Sequence, residues 1–380
     1  MPIPLLLHGK HTEPADVVYE PLGPWIVPWR LGSFEDEYRV LRAGVGLLDY
    51  STQALIQVSG ADRASFLHNL LTNDIQRLSP GSGCQAALLT ASAKVIATLL
   101  VFADVDSLWL MCEATRAATV AQTLDRYHFS EQVSLTNRER QQAVLALQGP
   151  RTMDALAQLT GEILTLPRTG QHARATIDGM PVRLIRSDLA GNAGVLCFVA
   201  ADQAEALWTL VQTKGRRSGV RPVGWEALNV ARIEAGVPWY GVDMDEEQLL
   251  PETGLEAVAV SDTKGCYLGQ EIIARLATYG SVNKKLMGLL IEGDQVPASA
   301  DRILRNGEEV GRVTSACRSP ALKRPIAMGY LKRGAYDAST TVEIMRATAH
   351  LVATVTTLPM VAATNPPASS SGTRAGGRVR

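Results

Sequence analysis

The segment Lys264-Gly265-Cys266-Tyr267-Leu268-Gly269-Gln270-Glu271 concentrates more chemistry than any other stretch of this chain. It sets a thiol between a lysine and a phenol, with an amide and a carboxylate close behind. A thiol attacks, or binds metal, as its thiolate, and a nearby cation favours that form. Gly265 lets the backbone beside Cys266 approach a ligand closely. The chemistry expected is that of a reactive or transiently metal-contacting thiol at Cys266, with Lys264 as an anion contact. Plainer fates stand beside it. A free cysteine is most often a small buried hydrophobe. Lys264 reads equally as a solvated lysine, Tyr267 as core, and Gln270 and Glu271 as caps of a helix beginning near Glu271.

Arg232 is the second candidate. On a helix starting at Trp225 it lies four residues after Leu228 and projects from an otherwise apolar arc. A charge there requires a partner, either an anionic ligand or a buried carboxylate such as Asp243, or a structural ion pair with Glu226. The five cysteines (Cys84, Cys112, Cys197, Cys266, Cys317) are odd in number and scattered, without a Cys-x-x-Cys pair. The six histidines show no ligand spacing either. This argues against a disulfide framework and against a metal site held by the chain alone. Gly81-Ser82-Gly83 precedes a strand instead of joining strand to helix, the wrong context for a dinucleotide loop.

These residues must be held by a sizeable fold. The chain has 380 residues, 46% hydrophobic and 20% charged, with a formal charge of −1. That composition predicts an ordered globular protein with no global pull toward nucleic acid or anionic membrane. No segment approaches about 18 unbroken apolar residues, so a soluble, cytoplasmic chain is expected. Strands are predicted at Ala54–Val58, Val95–Phe102, Leu108–Cys112, Ala143–Leu147, Pro181–Arg186 and Val195–Ala200. Helices are predicted over Ala61–Leu71, Ala114–Tyr127 and Arg151–Leu159, and from Trp225 to Gly236. Another opens on an Asp202/Glu205 capping box and stops at Gly215. After Lys285 the pattern turns to short strands, with Asn306-Gly307 a two-residue hairpin signal, which predicts a small barrel or sandwich. From Val361 the sequence reads as a disordered tail.

Several stretches in order resemble one superfamily. They are Ala43-Gly44-Val45-Gly46-Leu47-Leu48-Asp49, Ser59-Gly60-Ala61-Asp62 through Asn73-Asp74, Leu147-Gln148-Gly149-Pro150, and Arg232-Ile233-Glu234-Ala235-Gly236 with Tyr240-Gly241-Val242-Asp243. Gly311-Arg312-Val313-Thr314-Ser315 follows where a terminal barrel should lie. Over about residues 35 to 358 the chain resembles the folate-binding aminomethyltransferase (glycine-cleavage T-protein) superfamily, and the Lys264–Glu271 signature resembles its YgfZ-like branch. The resemblance implies an α+β fold, with an N-terminal extension (1–34), a folate-binding region of two α/β lobes (35–285, dividing near 150), a C-terminal β-barrel (286–360) and the tail (361–380).

The resemblance also implies a tetrahydrofolate cofactor or derivative, contacted by Arg232, Lys264, Tyr267, Gln270 and Asn192, with Cys266 as the reactive thiol and no metal ligands. It implies an accessory role in iron–sulfur cluster assembly or repair, including for enzymes that thiolate tRNA. Partners would be folate and iron–sulfur client or assembly proteins, with no direct nucleic-acid or membrane binding. Two departures bear on activity. An acidic pair that serves aminomethyl transfer falls here on Ala97 and Thr98, and a glutamate that grips the pterin ring falls on Asn192. These substitutions argue against aminomethyltransferase activity. A tetrahydrofolate-dependent one-carbon transferase is the alternative, and a pure interaction scaffold a third.

Overall fold

The computed structural model describes residues 2–10, 17–347 and 349–362; the expected tail falls mainly on 363–380, outside them. The N-terminal stretch builds a sheet of its own. Ile3–Pro4 pairs in parallel with Trp25–Arg30, which pairs antiparallel with Val18–Leu22. Trp25 and Val27 from this sheet are buried in the same core as Leu48 and Ile56. A helix follows at Phe34–Ala43. Its Ser33 cap accepts from the Asp36 amide, and Glu35, Asp36 and Glu37 sit in the first turn, where the helix dipole favours negative charge.

Two larger sheets come next. One runs in the order Gly83–Leu89, Val95–Ala103, Ser107–Glu113, Gln53–Ser59, Ser134–Asn137. The other runs His172–Ile177, Met180–Arg186, Gly194–Ala200, Gln142–Gln148, Val45–Asp49, Val220–Pro222. The second sheet takes Val45–Asp49 from before the first and Gln142–Gln148 from after it, so the sheets interleave along the chain. They touch where Phe102 of one meets Phe198 of the other, ring centroids 6.5 Å apart. Gly83 is part of this join. A Cβ there would lie 2.4 Å from the Val101 carbonyl oxygen and 2.5 Å from that of Gly170, so only glycine fits. A strand largely covered on both faces reads as a near-continuous apolar run, as in Val95–Ala103, interrupted at Thr98.

The C-terminal strands close into an antiparallel barrel, Lys284–Ile291, Arg324–Lys332, Glu308–Ser319, Arg302–Arg305, Thr341–Arg346 and Ala349–Thr356. Asn306 and Gly307 both take positive φ, 52° and 82°, the combination a tight hairpin between right-twisted strands requires. The helix expected to open on an Asp202/Glu205 capping box starts otherwise. A 3₁₀ turn at Ala201–Gln203 leads into Ala204–Gly215, whose cap residue Gln203 makes no side-chain cap bond.

The helix Trp225–Glu234 joins these parts. The sequence predicts one polar residue on an apolar arc; the structure encloses the helix, burying all of it but Glu226 and Asn229. Its N-terminal Gly224 amide donates to the buried Glu37 carboxylate (2.8 Å), which also accepts from Leu31 (2.7 Å) and Gly32 (2.5 Å). At its other end the Glu234 carboxylate accepts from Tyr38 (2.7 Å), Arg42 and the barrel's Ser319. Between them, the Arg232 guanidinium pairs with Asp243 and donates to Ser315 (2.6 Å) and Asn229 (2.9 Å). Asp243, which reads in the sequence as an exposed turn residue, is itself buried and accepts from Thr314 (2.6 Å) and the Trp239 amide (3.0 Å).

Stripping two charges of water costs several kcal/mol each, and a dense set of hydrogen bonds is what offsets it. Removing one partner should therefore be severe. Arg232→Ala is expected to lose about 3–5 kcal/mol in urea denaturation, and Arg232→Met combined with Asp243→Leu less than either single change. A single-variant loss within about 0.5 kcal/mol, ordinary for a surface position, would show that this pair does not hold the barrel to the helix.

Candidate functional site

A cavity of about 240 Å³ opens between the N-terminal sheet, the five-stranded sheet and the enclosed helix. Aromatic rings form much of its wall. Tyr50 stacks on Trp225 (5.2 Å, 12° between planes), and Trp239 meets Trp225 edge-on at 5.5 Å. Trp25 contributes from the N-terminal sheet. Arg232 stands behind this wall. Its guanidinium carbon lies 4.4 Å from the Trp239 ring centroid and its donors are committed to protein acceptors, so it fixes a wall residue.

Among the described residues lining the cavity, Glu113 is the one charged side chain. It ends the strand Ser107–Glu113, opposite Gln53 on the next strand. Its two oxygens accept from Trp25 Nε1 (2.7 Å) and Gln53 Nε2 (3.2 Å). Burial pushes its pKa up to about 7, against the smaller downward pull of these two donors. Sequence reasoning passed over Glu113. The signal available was a carboxylate placed directly on an otherwise apolar strand, Ser107-Leu108-Trp109-Leu110-Met111-Cys112-Glu113. Trp25 was also missed, because it lies in the stretch taken as an extension.

None of the expected folate contacts Arg232, Lys264, Tyr267, Gln270 and Asn192 lines this cavity. Asn192 is buried, with its amide toward the Leu41 carbonyl (3.4 Å). Of the two positions expected to lack carboxylates, Thr98 lines the cavity and Ala97 points into the core, as neighbours on a strand must.

The signature segment instead works as a clasp. The Lys264 ammonium donates to the carbonyls of His68, Leu71 (2.5 Å) and Asn73 (3.1 Å), at the end of the helix Arg63–Leu70. These include carbonyls that a helix end leaves without intrahelical partners. Burial pulls the Lys264 pKa down to about 8, partly countered by Asp74 and Cys84. Its Nζ lies 4.9 Å from the centroid of the Tyr267 ring, which packs in a core with Leu89, Val95 and Ile273. Gly269 takes φ +82°, and a Cβ there would stand 2.7 Å from the Thr90 carbonyl oxygen. Gln270 Oε1 accepts from the Tyr267 amide (3.2 Å). Cys266 remains exposed, whereas Cys112, Cys197 and Cys317 are buried and Cys84 partly so. Burial pushes the thiols of these four up to about 12.

A second hollow, of about 360 Å³, shares Gly241, Val242 and Met244 with the first. Lys284, Arg312 and Lys332 stand on its lining, as does Tyr330, whose buried hydroxyl has no hydrogen-bond partner. Among the described residues no group of three His, Cys, Asp or Glu side chains is placed to hold a metal ion, and no helix is long and apolar enough to cross a membrane.

The raised pKa of Glu113 has a consequence for stability. Its folded value near 7 exceeds the ordinary 4.5, so between those pH values the folded state holds a proton that the unfolded chain has released. Stability from this group is therefore greatest at low pH and falls as pH rises from 4.5 to 7. Glu113→Gln is expected to be more stable than the parent at pH 8 by about 1–3 kcal/mol, with the advantage gone at pH 4.5. Denaturation at the two pH values measures it, and equal differences at both would refute it.

Residues 7–263 match the GCVT N-terminal domain and residues 284–361 the glycine cleavage T-protein C-terminal barrel domain. An aminomethyltransferase of Bacillus licheniformis is 27% identical over 325 residues, covering 85% of this chain and 88% of that protein. A putative chloroplastic transferase of Arabidopsis thaliana is 30% identical over 344 residues, covering 89% and 77%. The crystal structure of the glycine cleavage system aminomethyltransferase T from Bartonella henselae superposes with a TM-score of 0.85 at 25% identity, covering 94% of this chain and 98% of that one. With two interleaved sheets, an enclosed helix and a closed terminal barrel, the chain belongs to the glycine cleavage T-protein family.

Proposed function

We propose that this protein binds tetrahydrofolate or a derivative in its central cavity and transfers a one-carbon unit of the aminomethyl type. The observation that carries the proposal is the cavity itself, aromatic-walled and holding one carboxylate, in a T-protein-family chain. Flat rings at Tyr50, Trp225 and Trp239 suit a planar heterocycle. Gln53, Gln85, Thr52 and Thr115 add hydrogen-bonding groups. In the neighbouring hollow Arg312 is paired with Glu309, while Lys284 and Lys332 offer ammonium groups to the carboxylates of a glutamate tail. A bound folate would supply the carrier atoms for the one-carbon unit. The protein supplies the slot, the ring contacts and the exclusion of water.

Support also comes from the relatives, several of which are named aminomethyltransferases. The strand Val95–Ala103 presents Thr98 to the cavity, a hydroxyl that is no general base at neutral pH. Transfer from a lipoyl-carried aminomethyl donor is accordingly expected to be slow, and Thr98→Asp to raise kcat by tenfold or more, at the lower end of what a positioned acid or base contributes. Calorimetric titration with tetrahydrofolate tests the proposal itself, and absence of heat at ligand concentrations up to 1 mM, on the order of the weakest ordinary substrate binding, would overturn it.

A second reading follows from Cys266 and assigns the chain to the YgfZ-like branch. On it, the folate-loaded protein supports assembly or repair of iron–sulfur clusters, including those of tRNA-thiolating enzymes, in the cytoplasm, through client or assembly proteins that meet the exposed thiol. The favouring observation is that Cys266 stands exposed on a loop whose Lys264 and Tyr267 are fastened to the protein. Cys266→Ser is expected to fold, to bind folate as the parent does, and to fail in restoring iron–sulfur enzyme activity to cells lacking the protein. Cys197→Ser should restore it. Full complementation by Cys266→Ser would remove this reading.

A further inference from the structure

We infer that Glu113 is the residue that recognises the ligand's ring, its carboxylate taking the paired N–H donors of a 2-amino-4-oxopteridine seated in the central cavity. The inference rests on the folate proposal above and goes beyond it by naming the contact that selects the heterocycle.

The argument begins with an unbalanced group. A carboxylate has room for about four hydrogen bonds, and Glu113 receives one on each oxygen, from Trp25 and Gln53. Among the described residues no lysine, arginine or histidine forms a salt bridge with it. A largely buried carboxylate without a counter-ion costs stability unless something else satisfies it. Here the unsatisfied side belongs to a side chain that lines a cavity, so the complement comes from what fills the cavity.

The surroundings narrow the complement. The walls include the rings of Tyr50, Trp225 and Trp239, packed against one another, an apolar aromatic lining that accepts a planar ring better than a branched ammonium. Residues of two strands, Trp25–Arg30 and Gln53–Ser59, hold the carboxylate from both sides. Trp25 and Gln53 fix its plane through opposite oxygens, leaving both oxygens able to accept a second, parallel pair. An exocyclic amino group beside a ring N–H presents two parallel donors, the counterpart of a carboxylate fork. The cations nearby are engaged elsewhere: Arg232 with Asp243, and Arg116 with Glu246 and the Ile96 carbonyl. The other titratable groups at this place are Tyr50, Tyr240 and Cys112. All are raised by burial, Tyr240 and Cys112 to about 12, which leaves Glu113 as the group that changes charge near neutrality.

The probe is 5-formyltetrahydrofolate, a stable reduced folate, with its 2-desamino-2-methyl analogue as control, followed by quenching of tryptophan fluorescence on the full chain. Glu113→Gln exchanges one acceptor for a donor that opposes the ring, and should weaken binding by about ten- to a hundredfold. The analogue should bind the parent more weakly by a similar factor and discriminate little between parent and variant. Parent affinity should also fall as pH drops below about 7, since protonation removes one acceptor, and this loss should be absent in Glu113→Gln. The pH profile of the parent tests the inference even if the variant does not fold. Equal affinity of parent and variant for the probe, or a parent pH profile flat from 8 to 5, overturns the assignment to Glu113 while leaving folate binding standing. No binding of the probe to the parent removes the folate proposal and this inference together.

Discussion

The ion pair of Arg232 with Asp243 is the constraint around which this molecule is arranged. Its arginine sits on a helix with almost no exposed surface, between the two lobes and the barrel, and its aspartate in the loop that follows. Such a helix cannot be stabilised by water, so each polar group on it has to find a protein partner from another part of the chain. Glu37 supplies one at the N-terminal end, and Tyr38, Arg42 and Ser319 converge on Glu234 at the other. Ser315 and Thr314 reach across from the barrel to the central pair. The apolar contacts that bring these parts together are non-directional. The buried polar bonds fix their relative placement, because any slip would leave a charge unpaired.

The cavity inherits its shape from that arrangement. Trp225 is held by the helix and by the bond from its indole to the Asp49 carbonyl (3.1 Å), and Trp239 is held by the Arg232 guanidinium and by Asp243. Trp25 and Glu113 come from segments far apart in sequence, yet they share a hydrogen bond of 2.7 Å at the cavity. Burial makes Glu113 a cost to the fold near and above neutral pH, and this is the usual trade where a site is kept polar inside an apolar frame.

The signature loop illustrates how a sequence motif can owe its residues to fastening. Lys264 closes a helix end, Tyr267 fills a small core, Gly269 passes close to a carbonyl, and Gln270 holds the turn. Each needs its own residue type for a local physical reason. What these contacts leave over is Cys266, exposed between the fastened Lys264 and Tyr267.

Much of the architecture was legible in the sequence. The strands of the barrel and its Asn306-Gly307 hairpin follow from alternation and from turn chemistry that acts over a few residues. The strands Val95–Ala103 and Ser107–Glu113 announce themselves as apolar runs, and the helix Trp225–Glu234 by its period and by Gly236 beyond its end. The order of motifs indicated the family. Tertiary structure decided the site. Whether Arg232 meets a ligand or Asp243 depends on a contact between residues on separate elements, which no local pattern encodes. Whether Thr98 or Ala97 faces the cavity depends on which side of a strand is covered. Glu113 and Trp25 stand 88 positions apart and acquire meaning only when two sheets bring them together. Composition and spacing determine which elements form and which residues carry charge. Burial, which is a property of the assembled layers, determines which of those charges is left facing an open space.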